Sequence, residues 1–219
     1  MAGAKCNYAL GFLTIIENPE HGLFGGYLIL NRAGRPLEFH CTAPVKPNRA
    51  QQILYGPTLE PFLFGEQIGQ SLLDKARSEP VVVCTDREPV LAVREFTKVP
   101  VALVLPPEEP GAETTPGHDA SANEAPADNA PASDALAGNS PAVAPPAGGR
   151  VYRCDPAHGY GRCGPAFRIG PNRLAVSLLA ADDRQAIAER LATLGDWFDL
   201  AEPFQRIREA IEEARRGGQ

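Results

Sequence analysis

The segment NYALGFLTIIENPEHGLFGGYLILNRAGRPLEFHCTAPV, residues 7–45, contains three runs of strand-forming residues. The runs cover residues 7–17, 23–32 and 37–45, and short turns containing Asn, Pro and Gly separate them. Strands joined by such short turns pair with their neighbours in sequence, so we expect an antiparallel three-stranded meander. Gly25-Gly26, within the second run, predicts a bulge or a point of close approach.

The third run alternates between apolar and polar side chains. Leu37, Phe39 and Cys41 would lie on one face of a strand, and their polar neighbours on the other. Alternation of this kind is typical of a strand with one buried face. We therefore expect the face of Leu37, Phe39 and Cys41 to lie in the core.

A helical region is predicted after the meander. Asn48 is a suitable N-cap, with Gln51 at the third helical position to complete a capping box. Gly56-Pro57 and Pro61 interrupt the pattern, so we expect a broken or kinked helix that continues to about residue 76.

Two apolar runs rich in β-branched residues follow, at residues 81–83 and 99–105. Continuous apolar runs of this length are typical of strands buried on both faces. A short helix over residues 87–96 would connect them, with Asp86 as its N-cap. This is the βαβ pattern, which predicts that this part of the sheet is parallel.

The composition changes sharply from residue 106 to residue 149. These 44 residues contain seven acidic side chains but no Lys, Arg or aromatic residue. They cannot bury enough apolar surface to offset a backbone entropy cost of about 1–2 kcal/mol per residue. We therefore predict a long, disordered, Ala/Pro-rich insertion.

The residues after the insertion predict a hairpin over 167–178 and two helices, over 182–198 and from Asp199 onward. About 70 residues with so few elements are marginal for independent folding. We therefore expect a single α/β domain composed of residues 1–105 and 150–219, with residues 106–149 inserted into it. The alternative is two domains joined by a linker.

These elements predict an α/β fold, in which the meander and the βαβ-type elements share one mixed sheet with flanking helices. The order meander, helix, strand, helix, strand resembles that of the ribonuclease H-like fold. The resemblance implies carboxylates that hold two metal ions for phosphodiester hydrolysis. Asp86 would be one such carboxylate, with Glu60 or Glu66 as a second. The first strand offers only Glu17 at its end, where that family places an Asp in mid-strand.

A second candidate site is the segment that contains Cys154, His158 and Cys163. Two thiolates and an imidazole could bind zinc, with Cys41 or Cys84 as a fourth ligand, although the spacing C-x3-H-x4-C differs from the usual knuckle. The alternatives are a redox pair between the first and last of these cysteines, or a surface loop with two free thiols. We expect no cofactor other than zinc.

The charge outside the insertion is nearly balanced, with 21 basic and 20 acidic residues. We therefore see no clear nucleic-acid signal and expect an unknown protein or small-molecule partner. No apolar run reaches the length of a membrane span, and an odd number of irregularly spaced cysteines is unlike a disulfide framework. We expect a cytoplasmic protein that does not associate with a membrane.

No complete catalytic motif occurs in the sequence, whereas the core has the size of a folded domain. The first functional hypothesis is therefore a non-catalytic binding or interaction module. The alternatives are a metal-dependent phosphodiester hydrolase on a degenerate ribonuclease H-like fold and a zinc-stabilised structural module.

Overall fold

The computed structural model describes residues 8–107, 162–192, 194 and 198–216. Within these residues, seven strands form one mixed sheet in the order β3-β2-β1-β4-β5-β7-β6. The strands are β1 (Ala9–Asn18), β2 (Gly22–Asn31), β3 (Pro36–Cys41), β4 (Val82–Thr85), β5 (Val101–Leu105), β6 (Phe167–Ile169) and β7 (Asn172–Val176).

The strand pairing confirms the predicted α/β class. β1, β2 and β3 form the antiparallel meander, and β4 lies parallel to both β1 and β5. The hairpin β6–β7 joins the sheet antiparallel to β5. Strands from both sides of the predicted insertion therefore share one sheet. The proposed domain boundaries stay a prediction, and residues 108–149 of the predicted disordered insertion lie outside the described residues.

The helical elements are shorter and less regular than the sequence pattern predicts. They are α1 (Arg49–Tyr55), a 3-10 turn (Gly56–Thr58), α2 (Leu59–Pro61), a π-helix (Phe62–Gln70), α3 (Ser71–Leu73), 3-10 helices at Glu88–Glu95 and Leu178–Ala180, α4 (Asp183–Leu191) and α5 (Glu202–Arg216). The predicted capping box is present, because Asn48 accepts a hydrogen bond from the Gln51 amide and the Gln51 side chain accepts one from the Asn48 amide. The predicted break in the helix is confirmed as well.

Two helical layers cover the two faces of the sheet. On one face, Phe204, Ile207 and Ile211 of α5 join a core cluster with side chains from β1 and β2. On the opposite face, Ile68 of the π-helix and Leu72 of α3 join the second core cluster. Each layer buries an apolar stripe at helical spacing, which removes these side chains from water.

Gly25 and Gly26 let both layers approach β2 closely. A Cβ atom on Gly25 would lie 2.2 Å from Ile68 Cγ2, and one on Gly26 would lie 2.2 Å from Ile207 Cγ2. Consecutive strand residues face opposite sides, so each glycine serves one layer. The β1–β2 register is continuous here. The pair is therefore a point of close approach and not a bulge.

The prediction for the face of β3 is wrong. Leu37 is 45% exposed and Phe39 is 39% exposed, and Cys41 is exposed as well. The half-buried side chains are those of Glu38 and His40 on the opposite face. The reason is that β3 is an edge strand and α5 packs against β1 and β2, so the apolar face of β3 remains in solvent.

Two helix boundaries and one helix type also differ from the prediction. The described part of the α4 region is helical only to Leu191, and α5 begins at Glu202. Asp199, where the last helix is predicted to begin, lies before the start of α5, and its carboxylate accepts a hydrogen bond from the Ala201 amide. The segment between β4 and β5 is a 3-10 helix. Within the described residues, no helix has the length and apolar character needed to cross a bilayer.

Candidate functional site

Asp86 lies directly after β4, at the carboxyl end of the parallel part of the sheet. The register between β1 and β4 pairs Leu13 with Thr85, so the next residues, Thr14 and Asp86, come together. In open α/β sheets, ligands usually bind outside the carboxyl ends of the strands. Asp86 therefore occupies a place where functional side chains are expected.

Both carboxylate oxygens of Asp86 are engaged by other side chains. Thr14 Oγ1 donates a hydrogen bond to Oδ1 over 2.6 Å, and Arg208 Nη2 of α5 forms an ion pair with Oδ2. The Thr14 residue is fully buried, and the Asp86 side chain is only 16% exposed. We refer to Thr14, Asp86 and Arg208 as the Asp86 cluster.

The interpretation of Asp86 as an N-cap is wrong. The 3-10 helix that follows begins at Glu88, its N-cap position is Arg87, and no side chain caps it. Thr14 and Arg208 are 72 and 122 residues away in sequence. The carboxylate of Asp86 is therefore bound by donors that are distant in sequence, whereas the neighbouring residues alone predict that it caps a helix.

A second ion pair lies beside the cluster. Arg87 pairs with Glu17 near the end of β1, and the carbon of its guanidinium lies 5.9 Å from the centroid of the Phe64 ring. The only acid that the first strand offered as a metal ligand is thus paired with an arginine.

Glu60 and Glu66, the other two predicted carboxylates, are exposed on α2 and the π-helix. Within the described residues, no group of three or more His, Cys, Asp or Glu side chains could hold a metal ion. Asp86 therefore contacts a hydroxyl and a guanidinium, and no metal-holding cluster forms around it among the described residues. The catalytic roles of Asp86, Glu60 and Glu66 stay predictions.

The predicted zinc site falls mostly outside the described residues, which exclude Cys154 and His158. Cys163 is half-buried, and its amide donates a hydrogen bond to Glu88 Oε1 over 2.9 Å. Burial, followed by the adjacent Glu88, raises the pKa of the Cys163 thiol. Burial also raises the pKa of Cys84 to about 12, so this core thiol is protonated at neutral pH. Cys41 is exposed on β3.

A surface cavity that sequence reasoning missed lies between the β1–β2 turn and the end of α5. It has a volume of about 430 Å³ and is lined by His21, Phe24, Pro44, Glu212, Arg215 and Arg216. The guanidinium carbon of Arg215 lies 5.2 Å from the centroid of the Phe24 ring. We refer to these six residues as the α5 cavity. The available signal was the Arg215-Arg216 pair, which looked like part of a solvated outer face.

The α5 cavity and the Asp86 cluster share one helix. Arg208 and Arg215 are seven residues apart, which is about two turns and roughly 10 Å along α5. Both guanidinium groups therefore lie on similar sides of the helix, near the edge of the sheet where β1 and β4 end.

Comparison with known proteins identifies no family. No protein-family model matches the chain, and no curated protein matches it. A similar solved structure is the endonuclease V of Ciona intestinalis in complex with a 23mer DNA that contains an inosine followed by a ribo-adenosine. The sequences are 13% identical, the TM-score is 0.32, and the match covers 46% of each chain.

This comparison corrects the partner prediction. The sequence predicts an unknown protein or small-molecule partner and contains no clear nucleic-acid signal, whereas the matched chain was solved with DNA. The partner prediction is therefore wrong and is not carried forward. The matched structure assigns no partner in its place.

Proposed function

We propose that this chain is a non-catalytic nucleic-acid-binding module. The observation that carries the non-catalytic part of the proposal is the engagement of both Asp86 oxygens by Thr14 and Arg208. A metal-dependent phosphodiester hydrolase needs carboxylate oxygens that can bind its cations. In this chain a guanidinium already neutralises the carboxylate through a charge-assisted contact.

The identity of Thr14 supports the same conclusion. The ribonuclease H-like resemblance implies an acid in the middle of the first strand, and the β1 residue that contacts Asp86 is this threonine. A second carboxylate here would repel Asp86 unless a cation lay between them, whereas a hydroxyl donates a hydrogen bond and needs no cation. The pairing favours a stable structural cluster over a metal centre.

The α5 cavity supports the binding part of the proposal. The Phe24 ring lies against one face of the Arg215 guanidinium. The opposite face of a guanidinium can stack on an unpaired base. His21, from the same cavity, can donate a hydrogen bond to a phosphate oxygen. The Arg216 guanidinium lies 3.7 Å from a Glu212 oxygen and 3.9 Å from a Glu213 oxygen, so a phosphate would compete with these two carboxylates for it. Glu212 offsets part of the positive charge, so we expect modest, salt-dependent affinity for single strands.

Fluorescence anisotropy with a labelled single-stranded oligonucleotide tests the binding step. Loss of base–guanidinium stacking should weaken binding of Arg215→Ala by about tenfold, a change within the range of one stacking contact. The matched control is Arg184→Ala, because the Arg184 guanidinium carbon lies 5.1 Å from the centroid of the Phe167 ring, away from the cavity. Equal losses in both variants, or no binding by the wild-type chain, would contradict the proposal.

The same oligonucleotides, incubated with Mg²⁺ or Mn²⁺, test the non-catalytic step. We expect no cleavage by the wild-type chain, because the Asp86 cluster leaves no carboxylate oxygen unengaged at this position. Metal-dependent cleavage that Asp86→Asn abolishes would instead establish the hydrolase alternative.

A further inference from the structure

The α5 cavity contains a carboxylate beside the guanidinium on which a base would stack. Glu212 is one of the six residues that line the cavity, and its side chain is 59% exposed. A carboxylate repels phosphate oxygens, so this side chain weakens contact with a nucleic-acid backbone. An ionised carboxylate accepts hydrogen bonds and cannot donate them. Its favourable partner in a nucleic-acid site is therefore the donor-bearing edge of a base.

The position of Glu212 on α5 suits such a contact. Glu212 precedes Arg215 by three residues, and side chains at this spacing are neighbours on one face of a helix. Glu212 lies 3.7 Å from the Arg216 guanidinium, which is longer than a charge-assisted hydrogen bond. A carboxylate has about four acceptor positions, so Glu212 can still accept hydrogen bonds from a base stacked on Arg215.

Guanine is the base whose Watson–Crick edge matches a carboxylate best. It presents two adjacent donors, the ring N1–H and the 2-amino group, which can bind both oxygens of one carboxylate. Adenine and cytosine each present an amino group beside an acceptor nitrogen, and thymine presents an N–H between two carbonyl oxygens. These acceptors repel the second oxygen of the carboxylate.

We propose that the α5 cavity prefers guanine in a single strand, with the base stacked on Arg215 and its Watson–Crick edge bonded to Glu212. This preference rests on the proposed function, because it names the base that the nucleic-acid site selects. Single-stranded nucleic acids are commonly recognised in this way, by stacking on one face of a base and hydrogen bonding at its edge.

The residue next to Glu212 provides a matched control. A purely structural role for Glu212 would be to hold the Arg216 guanidinium. Glu213 contacts the same guanidinium, at 3.9 Å, but it is not among the residues that line the cavity. Glu213→Gln therefore removes the same charge from the same ion-pair group and leaves the lining of the cavity unchanged.

Fluorescence anisotropy at constant ionic strength, with three labelled DNA single strands of equal length, tests the preference. One strand alternates thymine with guanine, the second alternates thymine with hypoxanthine, which lacks the 2-amino group, and the third contains thymine alone. The wild-type chain should bind the guanine strand about tenfold more tightly than the thymine strand, a ratio within the range of one bidentate base contact. The hypoxanthine strand should bind with intermediate affinity, because it keeps the N1–H.

The two variants should then differ in preference. Glu212→Gln should bind all three strands within about twofold of each other, because its side-chain amide offers a single acceptor oxygen and places donors against the donors of guanine. Glu213→Gln should keep the wild-type preference. Both variants should bind the thymine strand slightly more tightly than the wild-type chain, because each loses one negative charge near the phosphates.

The preference and the proposed function can fail separately in this experiment. If no strand binds the wild-type chain, the nucleic-acid function fails and the preference fails with it. If Arg215→Ala weakens binding but the wild-type chain binds the three strands equally, the function stands and the preference for guanine is wrong. A preference that Glu212→Gln retains, or that Glu213→Gln also loses, would overturn the assignment of guanine recognition to the Glu212 carboxylate.

Discussion

Gly26 sets the distance between α5 and the sheet, and replacing it with alanine should destabilise the fold. The new Cβ would lie 2.2 Å from Ile207 Cγ2 and 2.8 Å from Ile211 Cδ1. Both isoleucines are buried, at 0% and 3% exposure, so neither can swing into solvent without losing its packing. Overpacking of this kind costs about 1–3 kcal/mol, and we expect a loss in the free energy of unfolding of about 2 kcal/mol.

Urea denaturation of Gly26→Ala provides the measurement, with the midpoint expected to fall and the slope to stay constant. The control is Gly164→Ala, because a Cβ there would meet its nearest neighbours at an ordinary 3.5 Å. A double-mutant cycle with Ile207→Ala then isolates the contact, since that change removes the clashing methyl group. The two changes should be non-additive by about 1 kcal/mol or more. A Gly26→Ala variant within about 0.5 kcal/mol of the wild type would refute the close packing of α5 on β2, because a change that small is typical of surface substitutions.

Two further changes probe local features of the fold. Hydrogen bonds from the Ser78 hydroxyl, the Arg77 amide and His40 lower the pKa of Glu38 from 4.5 to about 2, so its stabilising contribution is present above about pH 4.5 and is lost as the pH falls toward 2. Wild-type stability should therefore decrease more steeply than that of Glu38→Gln over this window, and a constant difference between their unfolding curves would contradict the assignment. Asn48→Ala removes the capping box at a cost of about 1 kcal/mol. Because α1 contains no buried residue, the effect should appear as roughly fivefold faster amide exchange in α1, and unchanged exchange would disprove the cap.

Features set by neighbouring residues could be predicted from the sequence. The Asn48 capping box depends on residues three positions apart, and the structure contains it. The hairpin around Gly170 and the apolar stripe of Phe204, Ile207 and Ile211 are also local patterns. In each case, a short chain segment contains all the groups that decide the geometry.

Features set by distant residues could not be predicted. Alternation in β3 divides its side chains between two faces, but the face that a helix covers depends on where α5 packs. The prediction that Phe39 lies in the core is therefore wrong. The residues next to Asp86 favour an N-cap. The donors that in fact bind its carboxylate, Thr14 and Arg208, belong to other elements, so local sequence could not predict them. The α5 cavity likewise needs the β1–β2 turn beside Arg215, a juxtaposition that only the tertiary fold supplies.

A titration of the isotope-labelled chain with Mn²⁺, followed by amide NMR, tests the central claim most directly. Paramagnetic broadening identifies any amide close to a bound cation. Because Thr14 and Arg208 engage both oxygens of Asp86, we predict no selective broadening at Thr14, Thr85 or Asp86. Saturable broadening at these three amides that Asp86→Asn removes would contradict the account, since it would show that the carboxylate binds a divalent cation in preference to its arginine.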